Sequence, residues 1–287
     1  MTLSTSRQPR RQAPKLRERL AMEFAVHGKV ARIDQVAQVL APGYAPATDD
    51  EPRRRLRPGE AKPPPKPKGG QHDWPAGRHQ RVAATLPLVN DWVAWGLAER
   101  RHAIDDMPDW VFPTEEGLRW LGLPYTHIDF PAGELAHIYA INEIRLFLMR
   151  ASKIPPYVWT SERELEMREP LKRRGLILPH RPDGVMTLEA DGQIDLHGET
   201  IRLRAGEHIA VEGERTRKEF DEIGGILPDL LANYDRAWYF AASGAYDAVS
   251  KMRAQLPPDQ QRRIQIFRLN PNWWQWKSQP HEQAKAR

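Results

Sequence analysis

From Tyr157 onward, short apolar runs of strand length alternate with amphipathic stretches of helix length, and this alternation limits the fold more than any other feature of the chain. The runs are Tyr157-Val158-Trp159, Gly184 to Leu188, Ile201 to Leu203, Ile209 to Glu212, Trp238 to Ala241 and Ile264 to Leu269. Helical patterns at about 218–234 and 245–255 separate the later runs. Strands separated by helices pair in parallel, so the back half is expected to be an α/β domain with a partly parallel sheet, in a chain that is α+β overall. A helix over 134–150 precedes it, with His137, Ile141, Ile144 and Leu148 on one stripe.

The front half reads differently. Helices are expected over 15–27, ended by Gly28, and over 34–40, stopped by Pro42 and Gly43. Helical pattern resumes at Arg78 and runs to Arg101, interrupted or restarted at Pro87. An extended piece, Asp109 to Phe112, follows, and then Thr114 stands as an N-cap ahead of Glu115 and Glu116. Helix, helix, helix, extended wing, helix is the order expected of a winged helix-turn-helix, although periodicity alone supports only a small helical domain. The expected organisation is a basic arm at 1–14, this DNA-binding module at 15–130, an α/β domain at 131–271 and a frayed tail at 272–287.

Between 41 and 75 the module carries an insertion in which Pro63, Pro64, Pro65 and Pro67 alternate with lysines. That composition favours extended chain and cannot build a core. The net charge of +5 is concentrated on flexible text: Arg7, Arg10, Arg11, Lys15, Arg17 and Arg19 in the arm, and Arg53, Arg54, Arg55, Arg57, Lys62, Lys66 and Lys68 in the insertion. Such residues neutralise phosphates and release counterions, or serve as a solubilising linker. Arg78, Arg81, Arg100 and Arg101 flank the expected recognition helix and are candidate contacts to double-stranded DNA. Trp273, Trp274 and Trp276 either stack on unpaired bases, such as single-stranded DNA at a nicked origin, or fold back on the domain.

No stretch approaches the roughly 18 apolar residues of a membrane span, and no signal-peptide pattern opens the chain, so a cytoplasmic protein without a membrane partner is expected. There is no cysteine, which leaves any metal to carboxylates and imidazoles and favours magnesium or manganese. Pro182-Asp183-Gly184 begins one apolar strand, and Val211-Glu212-Gly213-Glu214 ends the next. Alternation puts Glu212 and Glu214 on one face. With Asp183 beside them, three carboxylates would repel unless a cation is held there, and a divalent ion would activate water toward a phosphodiester. The competing view is that they are solvent-facing charges on an edge strand.

Those residues, with Trp159-Thr160-Ser161-Glu162-Arg163-Glu164 ahead of them and Lys218 after, resemble the replication-relaxation family of plasmid and integrated-element proteins. The chain also looks like the MobC-type mobilisation relaxases. Phe112-Pro113-Thr114 with Gly117, and His137 with Asn142, extend the likeness over about 78–269. The resemblance implies a winged helix joined to a PD-(D/E)XK nuclease-type core, with Asp183 and Glu212 as metal ligands and Glu162 as a supporting acid. Glu214 stands where that pattern has lysine, and Lys218 would replace the missing charge. Two functions are expected from this: a metal-dependent DNA nickase, relaxase-like, working with accessory plasmid proteins; or a non-catalytic DNA-binding regulator of replication or transfer on a nuclease-like scaffold. Tyr139 has no histidine triad beside it in the sequence, so a covalent tyrosyl mechanism is not expected, and His137 is expected to be a satisfied histidine within the core stripe.

Overall fold

The structure is a computed structural model that describes residues 16–41, 78–105, 107–128, 132–151, 154–168, 180–196, 199–216 and 220–269. The basic arm, Arg53, Arg54 and Arg55 of the insertion, Lys218 and the tryptophans of the tail lie outside the described residues.

The front half contains helices α1 (Leu16–His27), α2 (Ile33–Leu40), α3 (Arg78–Ala94) and α4 (Glu115–Leu121), with strands β1 (Ala31–Arg32), β2 (Ala98–Arg101) and β3 (Trp110–Pro113). The strands form an antiparallel sheet in the order β1-β3-β2. Met22, Phe24 and Val26 of α1, Val36 and Val39 of α2, and Val89 and Trp92 of α3 share one core with Val111 and Leu118. The helix expected to reach Arg101 stops at Ala94 instead. Gly96, at φ +72°, reverses the chain, so that Ala98–Arg101 pairs with β3. Pro87 does not restart the helix, which runs through it. Thr114 caps α4 as expected: its hydroxyl accepts from Gly117 N at 3.1 Å and donates to the Gly96 carbonyl at 2.6 Å.

Helix α5 (Ala132–Arg150) lies between the halves. Its Leu146 joins the front core, while Ile144 and Leu148 join the core beneath the large sheet. Behind it come β4 (Tyr157–Ser161), α6 (Glu162–Arg168), β5 (Gly184–Leu188), β6 (Gly192–Leu196), β7 (Glu199–Leu203), β8 (His208–Glu214), α7 (Phe220–Asn233), β9 (Arg236–Ala241), α8 (Ser243–Gln255), α9 (Pro258–Gln261) and β10 (Ile264–Arg268). Five strands make one mixed sheet, β10-β9-β8-β5-β4. The pairs β8–β9 and β9–β10 are parallel, with a helix in each crossover, and β5 is antiparallel to both its neighbours. The expected partly parallel sheet is therefore present. A separate hairpin, β6–β7, sends Ile194 and Leu203 into the core on the α5 side.

Alternation along β8 assigns its faces. Ile209 and Val211 pack toward α5, and Ala210 packs toward Ile223, Leu227 and Val249 of α7 and α8. No described helix is long and apolar enough to cross a membrane.

Candidate functional site at the seam between the halves

The two halves meet through buried polar contacts, which are costly unless paired and therefore fix one geometry. Gln35 Nε2 donates to the Tyr139 carbonyl at 3.0 Å and to Glu143 at 2.8 Å, and Asn142 Nδ2 donates to the Val30 carbonyl at 2.8 Å. Arg32 is 1% exposed, paired with Asp34 at 2.6 Å and stacked 3.9 Å above the Tyr139 ring. Arg163 reaches across from α6 to the carbonyls of Val26 and Thr126. At Gly28 the approach is so close that a Cβ would lie 2.1 Å from the Asn142 side chain.

Along this seam lies a cavity of about 290 Å³, lined among others by His27, Lys29, His137, Trp159, Glu162 and Asp183. Asp183, one of its lining residues, stands at a fork in the sheet. Strands β5 and β8 pair up to Gly184–Val211 and no further, while β8 continues against β9 as far as Glu214. Asp183 turns into the opening, where its Oδ2 accepts from Gly213 N at 2.7 Å and its Oδ1 meets His137 Nε2 at 2.9 Å. Both carboxylate oxygens are thus engaged. Room for this depends on Gly213, whose Cβ would stand 2.4 Å from Ile141 and 2.9 Å from Ile144.

The fork brings some of the expected residues together and separates others. Glu162 opens α6, and its N–H donates to the Asp183 carbonyl at 3.2 Å. Its carboxylate pairs with Lys29 Nζ at 2.7 Å. Glu212 and Glu214 are buried, and they leave β8 on the face opposite Gly213, toward α7. Glu212 Oε1 meets His180 Nε2 at 2.8 Å. Asp183 therefore faces α5 while the two glutamates face away from it. Among the described residues, no group of three or more His, Asp or Glu side chains is placed to hold one metal ion. The oxygen donors suit a hard cation, but among the described residues they do not converge on one point: Asp183 lies on the α5 side of β8, and Glu212 and Glu214 lie on the α7 side.

Electrostatics mark the same place. Burial works against a charge on His137, yet its hydrogen bond to Asp183 and the negative charges of Asp183, Glu162 and Glu212 outweigh that and raise its pKa above 6.5. Its side chain is 45% exposed, so it lines the cavity and is not the enclosed core histidine expected from the stripe. His27 goes the other way: burial, with Arg145 and Arg163 nearby, lowers it to about 3. Its Nδ1 lies 3.1 Å from the Tyr125 hydroxyl. On β9, beside Glu212, Tyr239 is 1% exposed and its hydroxyl has no hydrogen-bond partner among the described residues. Burial and the charges of Glu212, Glu214, Asp183 and Glu222 raise its pKa well above 10.

No spacing or motif in the sequence marks Lys29, His27 or Tyr239 as part of the site. His180 could have been found, since it stands three residues before Asp183. The others reach the site from elements that only tertiary packing brings near. Of the candidate DNA contacts, Arg78 opens α3 and Arg81 is half-buried on it. Arg100 bonds Asn90 at 2.6 Å and Asp109 at 3.2 Å, and Arg101 pairs with Glu99 at 2.6 Å while covering the Phe112 ring.

No protein-family model matches this chain, and neither a curated protein nor a solved structure matches it. Any function must come from the site itself.

Proposed function

We propose that the chain is a DNA-binding protein of plasmid or mobile-element replication and mobilisation, with a winged helix-turn-helix in front of a nuclease-like scaffold. One observation carries this reading: the front half runs α1, β1, α2, α3, β2, β3, with β3 in the middle of the small sheet. In that order α3 is the helix offered to a major groove and the β2–β3 connection is the wing. Gln80, Ala83, Ala84, Pro87, Asn90, Asp91 and Ala94 of α3 are exposed, a face of small and polar side chains with one acid, Asp91, that permits close approach to base edges. Arg81, Arg100 and Arg101 border it, and phosphates would compete with the side chains that now hold the last two.

Of the two activities such a protein could have, the geometry favours the non-catalytic regulator. Asp183 works here as a structural acid joining α5 to β8, and among the described residues the carboxylates do not converge. A magnesium- or manganese-dependent nickase is favoured by one separate observation, the Tyr239 hydroxyl, buried beside Glu212 and Glu214 with no hydrogen-bond partner among the described residues. The experiment is relaxation of a supercoiled plasmid carrying the DNA that flanks this coding region, with either ion, by wild type, Asp183→Ala and Glu212→Ala. Binding without nicking by all three is the outcome expected of a regulator; nicking by wild type alone would establish the enzyme.

A further inference from the structure

Lys29 is the only non-glycine residue with positive φ among the described residues, at +70°. A lysine in the left-handed region costs roughly 1–2 kcal/mol, which glycine would avoid. Such strain gathers at functional positions. The turn that imposes it, Gly28-Lys29, joins α1 to β1 in the front half, and it aims the lysine backward over the seam. There the ammonium meets Glu162 at 2.7 Å and lines the same cavity as Asp183 and His137. The side chain keeps 18% of its surface exposed, and Glu162 keeps 34%, so solvent and solutes reach the pair. Arg145, also lining the cavity, stacks on the rings of Phe24 and Trp159 and adds a second positive charge to a wall that also carries the acids Glu134, Glu162 and Asp183.

The cavity thus sets an ammonium against a carboxylate at its mouth. Lys29 and Glu162 are both partly buried, so the cost of desolvating the two charges offsets much of what their pairing contributes, which leaves little return for a strained backbone. We propose that Lys29 is a phosphate contact: it takes a backbone phosphate of bound DNA at the seam cavity, with Glu162 holding the ammonium in place until the phosphate displaces it. The contact would link the DNA-reading half to the Asp183 fork. It rests on the DNA-binding reading given above.

The alternative is a latch that only holds the halves together, and the two differ in the sign of one effect. In a latch, Lys29→Met and Glu162→Gln remove the same bond and weaken DNA binding alike, or leave it alone. For a phosphate contact the two act in opposite directions. Lys29→Met loses affinity, whereas Glu162→Gln removes the carboxylate that competes with the phosphate and gains it. The measurement is fluorescence anisotropy with a labelled duplex of random sequence over a range of salt, on wild type, Lys29→Met, Lys29→Arg and Glu162→Gln, each checked for a cooperative melt. Lys29→Met is expected to flatten the slope of log K against log salt by about 0.9, the value of one phosphate. Lys29→Arg is expected to restore it, and Glu162→Gln to bind severalfold tighter. An unchanged slope in Lys29→Met, or weaker binding by Glu162→Gln, overturns the inference while the DNA-binding reading stands. Absence of salt-sensitive binding by wild type overturns both. Should Lys29→Met fail to melt cooperatively, the sign of the Glu162→Gln effect decides alone.

Discussion

The Nε2 of His137 and the Oδ1 of Asp183 stand 2.9 Å apart, joining the helix between the halves to the mouth of β5. Because the carboxylate raises the His137 pKa, the pair stabilises the fold through the charged imidazole. That contribution is complete below pH 6.5 and is lost as pH rises through the raised folded value. Asp183→Asn is expected to return the His137 titration, followed by NMR, toward or below 6.5. A midpoint unmoved by that change would show that Asp183 is not the controlling partner.

His27 should impose the opposite trend. It is neutral in the fold down to about pH 3, whereas in the unfolded chain it takes up a proton near 6.5. Stability is therefore expected to fall with pH below 6.5, by at most about 1.4 kcal/mol per unit for this one proton. His27→Gln should flatten that part of the curve in chemical denaturation series between neutral and acidic pH. An equally steep curve in the variant would assign the acid sensitivity elsewhere.

The seam itself is open to a volume test. A methyl group at Gly28 cannot be fitted without moving Asn142, which holds the Val30 carbonyl. Gly28→Ala is expected to cost about 1–3 kcal/mol and to divide the thermal transition of the two halves. A wild-type-like single transition would mean that the seam yields freely.

Tyr239 offers a case in which removing an atom should help. Its buried hydroxyl lacks a partner among the described residues, and an unsatisfied polar group of this kind costs about 1–3 kcal/mol. Tyr239→Phe is expected to raise the midpoint of unfolding. A loss of stability instead would mean that the hydroxyl is bonded in solution, through water or an ion next to Glu212 and Glu214.

Much of the architecture was legible because its signals are local. Thr114 with Glu115 and Glu116 marked the start of α4, and the apolar runs of β5, β8, β9 and β10 marked the sheet. The two-residue β1 is too short to show a period, and α6 begins immediately where β4 ends, so neither was expected. The site was legible only in part. Spacing correctly places Glu212 and Glu214 on one face, since alternation is a property of the strand alone. It does not reveal that Asp183 bends out of β5 toward His137, because that bend depends on α5 packing over Gly213. Lys29 is 154 residues away from Asp183 in the sequence, and only the docking of the front half on α5 brings them to one cavity.

The central claim, that this chain binds DNA through its front half, is tested most directly by duplex binding as a function of salt. With two or more phosphates contacted, affinity is expected to fall roughly tenfold or more between about 50 and 200 mM salt. Arg81→Ala together with Arg100→Ala should weaken binding and lower the slope. A wild-type protein that leaves the duplex unbound at low salt, or binds it with no salt dependence, would contradict the account.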